Sequence, residues 1–237
     1  MNVMLETKMV ANVQTKAPLL QSGDRLSRAE FERRYRAHPH IKHAELVEGV
    51  VYVSSPVRYT QHADPHFTII GWLAVYQAAT PGVRGGDNAT LRLDFENETQ
   101  PDALLRLEPA AGGQSVVTDD DYLEGAPELI VEIAASSASY DMHDKRRAYG
   151  RNGVREYLVF LVHEQRVVWF GLHDGIYEPL PVGEDGVIRS EVFPGLWLDV
   201  AALRQGALAQ VLATLQQGLQ TPEHAAFVAE LRRRLAG

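Results

Sequence analysis

Cysteine is absent from the 237-residue chain, and lysine is rare. Without a thiol the protein can form no disulfide framework, no thiolate zinc site, no iron–sulfur cluster and no cysteine nucleophile. Only four of the 23 basic residues are lysines, and Lys145 is the only lysine after residue 42. The composition excludes thiol chemistry and is compatible with a reducing compartment.

Long apolar runs are also missing. No stretch approaches the roughly 18 consecutive apolar residues of a membrane-spanning helix, and residues 1–20 lack the apolar region of a signal peptide. We therefore expect a cytoplasmic protein without a membrane partner. The net charge of −8 opposes a non-specific coat on nucleic-acid phosphates, although it still allows a local basic groove.

The length favours one core of about 180–200 residues with extensions. Residues 1–22 show no clear period, so we expect a flexible N-terminal arm. Residues 23–200 carry the pattern of one domain. Residues 201–237 contain two helical patterns, so we expect a C-terminal helical extension.

The elements alternate irregularly along the chain. Ser27, three residues before Glu30, predicts the start of a first helix, and Asp64 with Pro65 predicts the cap and first residue of a second. The patterns predict helices over residues 28–37, 66–79 and 142–151, a hairpin over 43–55, and strands over 89–95, 103–107, 128–133, 157–162, 167–172 and 176–180. This order predicts a mixed α/β (α+β) fold, not a doubly wound sheet, and no glycine-rich phosphate-binding motif is present.

Three charged residues occupy unusual positions in the sequence. Glu132 lies in the apolar run 129–133, where an ionised carboxylate is costly unless a cation or donor compensates it. Asp102 follows Pro101, at the predicted start of a strand. Lys145 is a lone ammonium in an arginine-rich chain, and the two cations are not interchangeable. Taken singly, Glu132 is also explained as a paired or solvent-facing strand end, and Asp102 as a turn residue.

Together these residues form an ordered set. Asp102 is followed thirty residues later by Glu132 in a hydrophobic strand, and then by Lys145 on the next predicted helix, before the run at 149–157. Upstream, Glu45-Leu46-Val47-Glu48-Gly49 forms an acidic hairpin. Over about residues 26–200 this arrangement resembles the bacterial "putative restriction endonuclease" family of the PD-(D/E)XK nuclease superfamily.

The resemblance implies a restriction endonuclease-like fold over residues 23–200, with a mixed central sheet flanked by helices. It implies a metal-dependent endonuclease that hydrolyses phosphodiester bonds of DNA. Symmetric cleavage of a duplex calls for a homodimer. A catalytically weak binding or regulatory module with the same fold is the alternative, and the negative net charge favours it.

The resemblance also implies the site. Asp102, Glu132 and Lys145 would be catalytic, Asp102 and Glu132 would bind Mg²⁺ or Mn²⁺, and Glu45 would be a third carboxylate for the metal. Oxygen ligands suit Mg²⁺, and a lysine can orient the attacking water or stabilise charge on the phosphate. The superfamily lysine usually stands two residues after the second acid, where this chain has Ala134. Lys145 takes the place of a lysine moved to the following helix.

Other constellations compete with this one. His62 and His66 are four residues apart, but Pro65 predicts that His62 lies in a loop before the helix, which argues against a shared metal site. His62 is kept as a candidate for binding substrate. Ser136 and Ser137 lack the GxSxG context of a serine hydrolase.

Overall fold

The computed structural model describes residues 17–54, 56–135 and 137–237. The helices are α1 (Arg28–Ala37), α2 (Asp64–Ala79), α3 (Ala138–Tyr140), α4 (Arg146–Arg151), α5 (Val200–Arg204), α6 (Leu208–Leu219) and α7 (Pro222–Ala236). Two π-helical turns, Tyr59–Ala63 and Asp141–Lys145, lead into α2 and α4, and Pro109–Ala111 forms a 3₁₀ turn.

The strands are β1 (Ala44–Val47), β2 (Val50–Val53), β3 (Val83–Asp87), β4 (Leu91–Arg92), β5 (Glu98–Thr99), β6 (Ala103–Leu107), β7 (Val116–Val117), β8 (Leu123–Glu124), β9 (Leu129–Ala134), β10 (Glu156–Leu161), β11 (Arg166–His173), β12 (Ile176–Pro179), β13 (Val187–Arg189) and β14 (Trp197–Asp199). The central sheet has the order β12-β11-β10-β9-β6-β3. Within it β9 and β10 are parallel and the other neighbours are antiparallel. A second six-stranded sheet has the order β2-β1-β5-β4-β8-β7, and β13 pairs with β14.

The two faces of the central sheet carry different layers. On one face α2, α5, α6 and α7 join alternate residues of β6, β9 and β10, such as Leu105, Val131 and Leu158. On the other face Leu104 and Ile130 pack with α4 and with β4 and β8 of the second sheet. Because strand side chains alternate between faces, Glu132 belongs to this second face. It therefore lies between the two sheets and α4.

Most predicted elements are confirmed. Helix α1 spans the predicted residues, and the Ser27 side chain accepts the N–H of Glu30 as its cap. The hairpin forms as β1 and β2, the apolar run becomes the fully buried β9, and Gly153 follows α4 with a left-handed φ of 82°. The predicted fold class, a mixed sheet flanked by helices, is confirmed.

Two local predictions are wrong. The predicted strand at residues 89–95 is extended only as β4, whereas β3 forms over Val83–Asp87. Two glycines and an arginine give β3 little β-propensity, so its strand state depends on pairing along β6 at the sheet edge. Asp64 is not a cap, since the π-helical turn runs into α2 and Asp64 already has helical angles.

The two ends of the chain differ in how much of them the structure describes. Residues 1–16 of the predicted arm lie outside the described residues, and Leu20 in the remainder is buried against α1 and β1. The C-terminal region holds α5, α6 and α7, and these helices contribute Leu203, Leu215 and Leu231 to the main core. None of the described helices is both long and apolar enough to cross a membrane.

Candidate active site

Lys145 ends the π-helical turn between α3 and α4 and points into the protein. Its side chain is only 4% exposed. The nitrogen Nζ donates to Glu132 Oε1 at 2.8 Å and contacts Glu45 Oε1 at 2.9 Å. Asp141 Oδ1, four residues earlier on the same turn, lies 3.7 Å from Nζ. One ammonium thus joins β9, the hairpin strand β1 and the helix that covers them.

Asp102 and Glu132 are brought together by the register of β6 and β9. Ala103 pairs with Val131, so the next position along this antiparallel ladder places Asp102 opposite Glu132. Residues opposite each other in a ladder project to the same face. The Asp102 side chain reaches across to β9, where Oδ2 accepts the N–H of Ile133 at 2.6 Å. The structure therefore holds both predicted acids at one end of the same strand pair.

Each glutamate of the site has a second donor. The Tyr149 hydroxyl donates to Glu132 Oε1 at 2.9 Å. Both bonds to Glu132 fall on Oε1, so neither uses Oε2. Glu45 Oε1 accepts the N–H of Gln100 at 2.8 Å, and its Oε2 accepts the hydroxyl of Tyr140 at 3.4 Å. The predicted third carboxylate is thus fixed beside Lys145.

His62 lies at the same end of β6. Its Nε2 donates to Asp102 Oδ1 at 3.0 Å, and His66 Nε2 donates to the main-chain oxygen of Asp102 at 2.7 Å. The expectation that His62 sits in a loop is wrong, because the π-helical turn extends α2 backwards and places both imidazoles against Asp102. His66 also faces Asp87 at 3.3 Å, which makes it a bridge between β3 and β6.

Burial and charge displace the protonation equilibria of these groups. Burial raises the pKa of Glu132 well above its usual range, Lys145 opposes this rise, and the neighbouring carboxylates add to it. Burial likewise raises the pKa of Asp141 to about 6, against the opposing charge of Lys145. Burial alone would lower the pKa of Lys145, but Glu132 and Glu45 raise it well above its usual range. The lysine is therefore an ammonium across the working pH range.

The Asp102–His62 pair behaves in the opposite way. Burial would raise the pKa of Asp102, but the hydrogen bond from His62 and the N–H of Ile133 hold it below its usual range. The same hydrogen bond raises the pKa of His62. Asp102 thus ionises more readily than Glu132 and Asp141, whose pKa values are raised.

The carboxyl groups of the site are ligands of the kind that a hard divalent cation prefers. Glu45, Glu132 and Asp141 surround the ammonium of Lys145, and Asp102 lies opposite Glu132 on the paired strand. Asp141 Oδ1 is buried without a hydrogen-bond partner among the described residues. A surplus of oxygen donors with one unpaired member fits a hard cation such as Mg²⁺. In the described part of the chain, however, no three His, Asp or Glu side chains are arranged to hold a metal together. The carboxylate oxygens are of the type that binds Mg²⁺, but in this structure their partners include Lys145, His62 and Tyr149.

Sequence reasoning missed two members of this cluster. Asp141 and Tyr149 lie four residues before and four residues after Lys145, and all three face the sheet. This spacing was visible as a polar stripe on a helix that has to cover a hydrophobic strand. Ser136, considered above as a nucleophile, lies outside the described residues.

Residues 28–201 match the sequence model of the Uma2 family, described as "Putative restriction endonuclease". Among solved structures, a "putative nuclease belonging to DUF820" from Anabaena variabilis is similar with a TM-score of 0.54 and 13% identity, over 69% of this chain and 90% of that chain. An identity this low shows a shared fold alone. No curated protein shows significant sequence similarity.

Proposed function

Because the chain belongs to the Uma2 family of "putative restriction endonucleases", we propose that it is a metal-dependent endonuclease hydrolysing phosphodiester bonds of DNA. The observation that carries the proposal is the buried contact of Lys145 Nζ with Glu132 Oε1 at 2.8 Å, at the same strand ends as Asp102. These three residues come from separate elements of the chain. A purely structural ion pair of Lys145 with Glu132 would not explain why Glu45 also contacts the ammonium and why Asp102 lies opposite Glu132.

Asp102 and Glu132 would hold Mg²⁺ or Mn²⁺, with Glu45 as the third carboxylate. When bound, the cation supplies charge neutralisation and an activated water for attack on the phosphate. Asp102 is suited to this role because it remains ionised, and each of its oxygens keeps a lone pair beyond the hydrogen bond it accepts. Glu132 is suited because its two hydrogen bonds leave Oε2 unused.

Lys145 would act on the reacting groups. Its ammonium stays protonated and is buried. Such a group can orient the attacking water and stabilise the negative charge that develops on the phosphate. His62 would bind substrate, because its imidazole reaches the rim of the site and the hydrogen bond to Asp102 favours its protonated form.

The proposal also covers the domain bounds, the cellular location and the oligomeric state. We place the nuclease domain at residues 23–200 and regard residues 201–237 as a helical extension that packs on α2. A cytoplasmic location gives access to DNA, and a homodimer suits symmetric cleavage of a duplex.

The test combines cation binding with cleavage. We expect Mn²⁺ or Mg²⁺ to raise the melting temperature of the wild type, because a ligand of the native state stabilises it by mass action. Asp102→Asn and Glu132→Gln should lose most of this shift and all cleavage of plasmid or oligonucleotide DNA. Glu164→Gln, which changes an exposed acid in the β10–β11 turn, is the matched control and should behave as the wild type. Equal shifts in all four proteins would move the cation elsewhere and refute the assignment.

A nuclease-fold binding module without catalysis is the second candidate. It is favoured by one observation, that the described acids are not gathered into a ready metal site. The module would bind DNA in fluorescence anisotropy without cleaving duplex, single-stranded or branched DNA in the presence of either cation. The nuclease would cleave at least one of these substrates, and Lys145→Met would abolish that cleavage.

A further inference from the structure

Asp141, on the same turn as Lys145, has a carboxylate oxygen that no hydrogen bond among the described residues uses. The residue is 1% exposed, and Oδ1 has no hydrogen-bond partner among the described residues. Its closest charged neighbour is Lys145 Nζ, at 3.7 Å. A buried, unpaired carboxylate oxygen is costly, so its retention beside an ammonium calls for a reason.

Lys145 forms ion pairs with two of the acids that the proposed function assigns to a divalent cation. Its nitrogen contacts Glu132 Oε1 and Glu45 Oε1 at 2.8 and 2.9 Å. A divalent cation bound to the same glutamates would repel this ammonium. A buried ammonium without an acidic partner would strongly destabilise the folded protein. Binding of the cation therefore requires another acceptor for Lys145 within the protein.

Asp141 Oδ1 is placed to be that acceptor. The Nζ–Oδ1 separation of 3.7 Å exceeds the Nζ–Glu132 contact of 2.8 Å by 0.9 Å, so a small side-chain movement would complete the new ion pair. Asp141 and Lys145 lie four residues apart on one π-helical turn, so the Asp141 carboxylate stays close to the ammonium. The main-chain oxygen of Asp141 accepts the hydroxyl of Tyr157 at 3.1 Å, which anchors the start of this turn.

We propose that Asp141 is a positioning residue that receives the Lys145 ammonium when a divalent cation binds Glu132 and Glu45. This inference rests on the proposed function, because it presumes a cation at those glutamates. It goes beyond that function by assigning to Asp141 a role in which it contacts neither substrate nor cation. It also gives Lys145 two alternative positions, between the glutamates and beside Asp141.

The test is Mn²⁺ binding measured by calorimetry on the full chain, without DNA. Asp141→Asn keeps the shape but removes the charge that attracts the ammonium, so we expect Mn²⁺ affinity to fall on the order of tenfold. Asp144→Asn is the matched control, since Asp144 lies on the same turn but contacts Tyr52 and Arg147. The control should bind Mn²⁺ as the wild type does.

A double-variant cycle separates an acceptor for lysine from a ligand for metal. In a Lys145→Met background no ammonium has to move, so adding Asp141→Asn should leave Mn²⁺ affinity unchanged. An equal loss in both backgrounds would make Asp141 a metal ligand and overturn the proposal. Unchanged affinity of Asp141→Asn in the wild-type background would overturn it as well.

A structure of the wild type with bound Mn²⁺ decides the matter even if Asp141→Asn does not fold. Nζ within hydrogen-bond distance of Asp141 Oδ1 is the expected result, and Nζ still shared by the two glutamates would refute it. A wild type that binds no divalent cation at all would instead defeat the proposed function, and this inference with it. The two failures are therefore distinguishable.

Discussion

Removal of the Lys145 ammonium should destabilise the fold strongly at neutral and alkaline pH. Lys145→Met retains an unbranched apolar side chain and deletes the terminal ammonium with its charge and donors. In the wild type, Lys145 Nζ contacts two buried carboxylates, those of Glu132 and Glu45, at 2.8 and 2.9 Å. Deleting one partner of a buried ion pair typically costs about 3–5 kcal/mol, because the remaining charge is left uncompensated. We expect a loss of this size at about pH 8.

The loss should shrink as the pH falls. Burial already raises the pKa of Glu132 above its ordinary 4.5, and Lys145 is the group that opposes this rise. Without it the folded state binds protons that the unfolded chain does not bind at the same pH. The unfolding free energy of the variant must therefore decrease as the pH rises above about 4.5, more steeply than that of the wild type. Each unit of additional pKa shift corresponds to about 1.4 kcal/mol.

Urea unfolding followed by tryptophan fluorescence, from about pH 5 to 8, measures both effects. Lys42→Met is the control, since Lys42 is an exposed lysine whose one side-chain hydrogen bond among the described residues goes to the main-chain oxygen of Pro39. It should unfold with the free energy of the wild type at every pH. If Lys145→Met has wild-type stability at pH 8, or a parallel pH profile, the buried ion pair does not stabilise the protein in the way argued.

Three further outcomes are expected. Tyr149→Phe removes the donor to Glu132 Oε1 and should lower the unfolding free energy by about 1–3 kcal/mol in the same urea assay; no change would show that this hydrogen bond is dispensable. Burial raises the pKa of Glu156 to about 7 from 4.5, so the wild type should lose stability as the pH rises across this interval, and Glu156→Gln should flatten the profile; an identical slope would refute that origin. His62→Ala should weaken DNA binding, measured by anisotropy with Ca²⁺ in place of Mg²⁺, and unaltered binding would remove His62 from the substrate site.

The central features of this fold could be predicted because local and global preferences agree there. The run around Glu132 is apolar throughout, so only a strand buried on both faces explains it, and β9 is such a strand. The hairpin of β1 and β2 and helix α1 carry turn and cap residues that leave few alternatives. In these segments the sequence alone specifies the element, and packing only fixes its partner.

Apart from the hairpin of β1 and β2, the second sheet could not be predicted, because its other strands are stabilised mainly by their neighbours. β4, β5, β7 and β8 are each two residues long, too short to show a period of two. β5 pairs with β1, and β4, β8 and β7 follow it in that order, so their positions depend on strand pairing and on packing against the central sheet. This matters for the site, since β1 supplies Glu45, and its approach to Lys145 is a tertiary contact.

The geometry around Lys145 shows why the predicted helix over residues 142–151 did not reveal Asp141 and Tyr149 as members of the site. In a regular α-helix, residues 141, 145 and 149 would drift by about 80° around the axis, because eight residues exceed two turns of 3.6 residues. The wider π-helical turn from Asp141 to Lys145 rotates less per residue and offsets this drift. Asp141, Lys145 and Tyr149 are all buried and all reach the acids between the sheets. In this chain the π-helical turn therefore lets three polar residues at four-residue spacing reach the same buried cluster of acids.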